Sequence, residues 1–160
     1  MMRRQLDVAR PLAKQAWANI VRRKIENQAA CLQFSKRKGV DRMESYARRV
    51  RSGDAENLEG QAAAYYFVQL FGPGFHRAEE RWANAALDYG YAVLRGAIAR
   101  GLVAHGLHPT VGLFHDSEQN AFNLADDLIE PFRPLVDLHV FKHPAMVEGD
   151  LSPTDKAELV

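Results

Sequence analysis

The chain has little cysteine and no long apolar run, and both absences narrow the classes of protein to which it can belong. A single cysteine, Cys31, excludes an internal disulfide framework and fits a reducing compartment. No stretch of the 160 residues is long and apolar enough to cross a membrane, and the first residues lack the apolar run of a signal peptide. We therefore expect a cytoplasmic protein without membrane contact.

Several familiar catalytic motifs are also missing. The sequence contains no Gly-rich phosphate loop and no Ser/His/Asp arrangement that could be argued from spacing. His139 and His143 are four residues apart, but no Glu stands beside His139, so the zinc-protease motif is absent. Any catalytic site must therefore be assembled from residues that are distant in sequence.

Helical periodicity dominates the chain, and no repeat or low-complexity linker divides it. We predict one all-α domain over residues 1–160. The predicted helices cover residues 8–35, 41–51, 54–70, 84–105 and 135–147, with a short acidic helix after residue 120. Residues 110–114 are predicted to form a short strand or an extended loop that carries His115.

Charge is distributed unevenly along the chain. Residues 1–51 contain 14 Lys and Arg against 4 Asp and Glu, a net charge of +10, whereas residues 52–160 contain 7 against 16, a net charge of −9. Basic clusters suit a polyanion such as DNA. A basic half that docks on the acidic half, or a solvated helix surface, would give the same pattern. The candidate phosphate-binding residues are Arg22, Arg23, Lys24, Arg48, Arg49 and Arg51.

His115 and the acidic helix after it contain the residue types of a divalent-metal site. At about 100° per residue, one helix face carries Asp126, Asp127 and Glu130. Clustered acids repel one another unless solvent or a cation compensates. A solvated acidic face is the commoner explanation, and it is the one we prefer for Asp126.

Glu59 supplies a third element upstream. It shares a helical stripe with Ala62, Tyr66 and Leu70, and this stripe should be mostly buried. A buried carboxylate is costly unless it is paired, protonated or bound to a metal. Two interpretations stay open, namely a metal ligand or a partner of an arginine such as Arg95 or Arg100.

Five ordered blocks of this sequence resemble the C-terminal helical domain of Cas1, the integrase and endonuclease of CRISPR adaptation, in its type II form. The blocks are residues 11–30, 57–63, 84–95, 106–115 and 122–134. The resemblance implies a multi-helix catalytic domain whose metal ligands fall on Glu59, His115 and Glu130. Asp127 would be a neighbour or an alternative ligand, and the ion would be Mn²⁺ or Mg²⁺. His115 could alternatively transfer protons.

The resemblance also implies an activity and partners. The family inserts spacer DNA into the CRISPR array of prokaryotic cells through attack of a DNA 3′-hydroxyl on a phosphodiester, and it also cleaves DNA. Its partners are prespacer and repeat DNA, Cas2 and a second copy of itself. We expect the family's N-terminal β-rich domain and its last helices to be absent here. A truncated, inactive DNA-binding or assembly module, or a protein-interaction fragment without DNA affinity, is the alternative.

Overall fold

The computed structural model describes residues 5, 7–79, 81–143 and 150–159, and these residues form helices and turns without a strand. The prediction of an all-α fold is confirmed for them. The helices are α1 (Arg10–Phe34), α2 (Val40–Arg49), α3 (Leu58–Phe71), α4 (Trp82–Ala104), α5 (Asn123–Ile129), α6 (Arg133–Lys142) and α7 (Pro153–Glu158), with 3₁₀ turns at Ser52–Asp54 and Glu130–Phe132. None of these helices has the length and apolar character needed to span a bilayer. The end of the predicted helix 135–147 lies outside the described residues.

Helix α1 is the central element, and its neighbours are α2, α3, α5 and α6. Pro11 stands in its first turn, where a missing N–H costs nothing. Trp17, Val21, Ile25 and Leu32 recur at helical spacing and are at most 2% exposed. Burying each such side chain contributes about 1.5–3 kcal/mol. These residues form the buried stripe of α1, whereas Phe34 at the end of the helix is exposed.

Helices α4 and α6 pack closely where α4 lacks a side chain. A Cβ added at Gly90 would collide with the side chain of Val136. Leu87 of α4, Val140 of α6 and Ile129 of α5 complete this part of the core. The absence of a side chain at Gly90 therefore allows α4 and α6 to approach closely.

The acidic helix ends just before Pro131. Helix α5 stops at Ile129, and Glu130 begins a 3₁₀ turn because Pro131 has no N–H to continue the helical hydrogen bonds. Helix α6 then begins at Arg133, with Pro134 in its first turn. The two prolines therefore connect α5 and α6 tightly, and Glu130 lies at the junction.

Helix α6 carries a buried carboxyl group. Asp137 is 1% exposed and accepts a hydrogen bond from the Tyr91 hydroxyl. Burial raises the pKa of Asp137 to about 6, although hydrogen bonds from Tyr91 and Tyr66 oppose the shift. Between its usual pKa near 3.8 and this value, the folded chain retains a proton that the unfolded chain has released. The contribution of Asp137 to stability therefore decreases as the pH rises through this window.

Candidate metal centre and histidine loop

Two of the predicted metal ligands form ion pairs with the same lysine side chain. Glu59 lies in the first turn of α3 and Glu130 at the start of the second 3₁₀ turn. The Lys24 ammonium of α1 contacts both, with Nζ 2.7 Å from Glu59 Oε1 and paired with Glu130 Oε2. The structure therefore brings Glu59 and Glu130 together, and the partner of Glu59 is Lys24 rather than Arg95 or Arg100.

This cluster is largely shielded from solvent. The side chains of Lys24 and Glu130 are 11% and 6% exposed, and that of Glu59 is 23% exposed. Burial lowers the pKa of Lys24, but the Glu130 and Glu59 carboxylates outweigh burial and leave this pKa above its ordinary value. Lys24 is therefore charged at neutral pH.

The two oxygens of Glu130 have different environments. Oε1 accepts a hydrogen bond of 2.8 Å from Arg133 Nε. Oε2 is buried and accepts no hydrogen bond of regular geometry, and it contacts the Lys24 ammonium as an ion pair. The partner of Oε2 is therefore a cation, and a hard divalent cation suits the same atom because such ions prefer oxygen ligands.

Asp54 fixes the start of α3 and with it the position of Glu59. Its two carboxylate oxygens accept hydrogen bonds of 2.9 Å from the backbone N–H groups of Leu58 and Glu59. The helix predicted over residues 54–70 begins later, at Leu58, and its N-cap residue is Asn57, whose side chain accepts a hydrogen bond from Gly60 N. Asp54, which precedes Leu58 by four residues, therefore stabilises the start of α3.

His115 lies in the loop between α4 and α5, and Asp127 of α5 holds this loop. The Asp127 carboxylate accepts hydrogen bonds from the backbone N–H groups of Leu113, Phe114 and His115. Its Oδ1 is also 2.8 Å from His115 Nδ1. Residues 110–114 form an irregular loop, so of the two predicted alternatives the loop is correct and the strand is not.

The contact with Asp127 determines which ring nitrogen of His115 is available. A carboxylate can only accept, so the proton lies on Nδ1 and the lone pair of the neutral ring on Nε2. Trp17 supports the loop, since its ring stacks on Phe114 at 4.3 Å and meets His115 edge to face at 5.9 Å. This arrangement gives a metal ligand or a proton acceptor at Nε2.

His115 and the carboxylate pair occupy neighbouring positions along α1. His115 packs on Trp17, and the carboxylates pair with Lys24, which is seven residues or about 10 Å further along the helix axis. In the described part of the chain, no three His, Cys, Asp or Glu side chains are close enough to hold a metal ion together. The three-ligand site therefore stays a prediction.

The predicted acidic face is not a solvated surface. Asp127 is fully buried, and Glu130 is 4% exposed. Asp126, which we expected to be solvated, is only 17% exposed at its side chain; it accepts a hydrogen bond of 2.7 Å from Asn120 and lies 3.7 Å from Arg95. That expectation is wrong because each acid has a specific partner.

The predicted phosphate-binding residues separate into two groups. Lys24 is buried and neutralised by two carboxylates, so its assignment to DNA contact is wrong. The other five are arginines on or near α1 and α2. Arg23, Arg48 and Arg49 form surface ion pairs, Arg22 donates to Asn19 and to the Val50 carbonyl, and Arg51 is exposed.

Two residues of the candidate site are not predicted from the sequence in these roles. In the sequence, Lys24 belongs to a basic cluster, and no prediction falls on Arg133. Arg133 follows Glu130 by three residues, a spacing that places two side chains side by side in a helical turn. That spacing is the signal that could have identified it.

The helical arrangement occurs in a solved structure described as "Casposase bound to integration product". The similarity has a TM-score of 0.75 at 20% identity and covers 94% of this chain and 52% of that one. At this identity the match establishes a shared fold. The described part of the chain is thus a helical domain with the fold of that structure, and it holds a largely shielded carboxylate pair and an oriented histidine.

Sequence comparison establishes the family. The family described as "CRISPR associated protein Cas1" matches residues 1–148, and the chain belongs to it. It is 47% identical to the CRISPR-associated endonuclease Cas1 of Neisseria meningitidis serogroup C, over 100% of this chain and 54% of the relative. For the CRISPR-associated endonuclease Cas1 1 of Thermus thermophilus, the identity is 38% over 70% of this chain and 39% of the relative. The predicted resemblance is confirmed, and the chain spans about half the length of these relatives or less.

Proposed function

We propose that this chain carries the catalytic centre of a divalent-metal-dependent DNA endonuclease and integrase that acts in CRISPR adaptation. The observation that carries the proposal is that Glu59 and Glu130, which are distant in the sequence, both pair with the buried Lys24 ammonium. Membership of the Cas1 family supports the activity. The substrates would be prespacer DNA and the CRISPR repeat.

The chemistry of the donor set agrees with Mn²⁺ or Mg²⁺. Glu59 and Glu130 offer carboxylate oxygens, and His115 offers Nε2, which together form a mixed oxygen and nitrogen set without thiolate. The ion would polarise the scissile phosphate and stabilise charge on the leaving oxygen. Glu59, His115 and Glu130 would hold it, and Asp127 would orient His115 instead of serving as a ligand.

The reaction requires a nucleophile, a leaving group and a route for one proton. A DNA 3′-hydroxyl oxygen forms a bond to the phosphorus of the repeat, and the bond from that phosphorus to the leaving 3′-oxygen breaks. Water takes the place of the 3′-hydroxyl in cleavage. His115 Nε2 is suited to accept the proton of the nucleophile when it is not a ligand. The leaving oxygen takes up a proton from solvent.

The exposed arginines would position the DNA. Arg48, Arg49 and Arg51 lie at the end of α2 and just beyond it, and all three are exposed. Their surface ion pairs are weak, so a phosphate can replace the carboxylate partner. Cas2 and a second copy of the chain are proposed as partners of the full-length protein.

The test is Mn²⁺-dependent strand transfer and cleavage with Glu59→Ala and His115→Ala. We expect both variants to lose at least about a hundredfold in rate, as is typical for a group that stabilises the transition state. Matched controls are Glu56→Ala, which removes an exposed acid near the start of the same helix, and His105→Ala, which removes an exposed imidazole at the end of α4. Full activity of both site variants would refute the site.

A helical DNA-binding or assembly module without catalysis is the second candidate. It is favoured because no third potential ligand lies close enough to the carboxylate pair, within the described residues, to complete a metal site. A thermal shift with Mn²⁺ distinguishes the two candidates. Salt-sensitive DNA binding without any shift would favour the module, and failure to bind DNA resin at moderate salt would instead indicate a protein-interaction fragment.

A further inference from the structure

Lys24 occupies an unusual position for a lysine. Its side chain is 11% exposed, and its ammonium contacts one oxygen each of Glu59 and Glu130. These are the two carboxylates to which the proposed function assigns the metal. The ammonium thus supplies the positive charge that a buried carboxylate and its partly buried neighbour require.

Lys24 contacts a carboxylate oxygen that an added cation would also need to bind. Glu130 Oε1 is taken by the hydrogen bond from Arg133, so the oxygen left for another cation is Oε2. Lys24 contacts that same atom. On the opposite carboxylate, it contacts Glu59 Oε1.

We propose that Lys24 is an internal counter-ion that holds Glu59 and Glu130 together before metal binding and must leave their oxygens when a divalent ion enters. The inference rests on the proposed function, because it takes these carboxylates to be metal ligands. Lys24 is a positioning residue that sets the metal affinity of the site. It holds the two carboxylates together and thereby lowers the affinity of the site for a metal ion.

The experiment compares the whole chain with Lys24→Met and Lys24→Gln. Met keeps the length of the unbranched stem, and Gln keeps hydrogen-bond donors without the charge. Lys14→Met is the matched control, since it removes an exposed lysine from the same helix. Mn²⁺ affinity is measured by calorimetric titration at pH 7, and the melting temperature is measured in EDTA and with saturating Mn²⁺.

We expect both Lys24 variants to bind Mn²⁺ about tenfold tighter or more, since removal of one nearby positive charge favours a divalent ion. In EDTA they should melt at a lower temperature than the wild type, because the two carboxylates then repel each other without compensation. Saturating Mn²⁺ should restore most of that loss. Lys14→Met should match the wild type in both measurements.

Two results would overturn the inference while the proposed metal site stands. The first is weaker Mn²⁺ binding by both Lys24 variants, which would make Lys24 a support of the ligands instead of a competitor. The second is an unchanged melting temperature in EDTA. Absence of Mn²⁺ binding by the wild type and by both variants would instead overturn the proposed function, and this inference with it.

Discussion

Asp127 holds the histidine loop, and its replacement offers the most direct test of how this site is built. The carboxylate is fully buried and accepts four hydrogen bonds, three from backbone N–H groups and one from the His115 ring. Asp127→Ala removes all of these acceptors at once. The stretch from Leu113 to His115 then loses these contacts with α5, whereas the bonds from Asn123 to the Thr110 and Ser117 carbonyls remain.

The magnitude follows from these contacts. A hydrogen bond to a charged group contributes about 1.5–3 kcal/mol net, and a donor left without a partner costs about 1–3 kcal/mol. The loop is partly exposed, so water replaces some of the lost bonds, and we expect a loss of about 3–5 kcal/mol in the free energy of unfolding. Asp127→Asn should cost about 1–3 kcal/mol, because its amide group would face N–H donors.

Urea unfolding followed by circular dichroism measures these differences. The matched control is Asp126→Asn, since Asp126 adjoins Asp127 and the polar partners of its carboxylate, among the residues that the structure describes, are Asn120 and Arg95. We expect this control to lose about 1 kcal/mol or less. A loss below about 1 kcal/mol for Asp127→Ala, equal to that of the control, would refute the conclusion that this carboxylate holds the loop.

Three further predictions concern pH, the loop and DNA. The unfolding free energy of Asp137→Asn, compared with that of the wild type, should rise by on the order of 3 kcal/mol between pH 4 and pH 7, because the buried acid of the wild type, with a pKa of about 6, ionises in this range. Urea titrations at both pH values measure this difference, and a difference that does not depend on pH would contradict the prediction. Gly112→Ala should abolish strand transfer, because its Cβ would collide with the His115 carbonyl, and wild-type rates would show that the loop adapts. Replacing Arg48 and Arg51 by Ala should weaken DNA binding and reduce the salt slope by about 2, as measured by fluorescence anisotropy at several salt concentrations; an unchanged slope would exclude phosphate contacts there.

Much of the fold could be predicted because helical periodicity is a local property of the sequence. The long helix α1 is predicted within two residues of its ends, and the stripe of α3 that carries Glu59 is buried at Ala62, Tyr66 and Leu70. The role of Asp127 could not be predicted in the same way. It depends on three consecutive backbone N–H groups that turn toward one carboxylate, and the path of a loop has no periodicity from which to infer it.

The position of Lys24 in the helical pattern of α1 indicates that it is buried, but counting charges does not reveal this. The run Arg22, Arg23 and Lys24 resembles a uniform basic cluster, whereas the helix turns by about 100° between neighbours and directs the three side chains differently. Lys24 follows Trp17 by seven residues and Val21 by three, which places it on the buried stripe of α1. A lysine on a buried stripe needs a carboxylate partner, just as a glutamate on one needs a cation. Glu59 lies on such a stripe of α3, and applying the same argument to both helices would have predicted the pair.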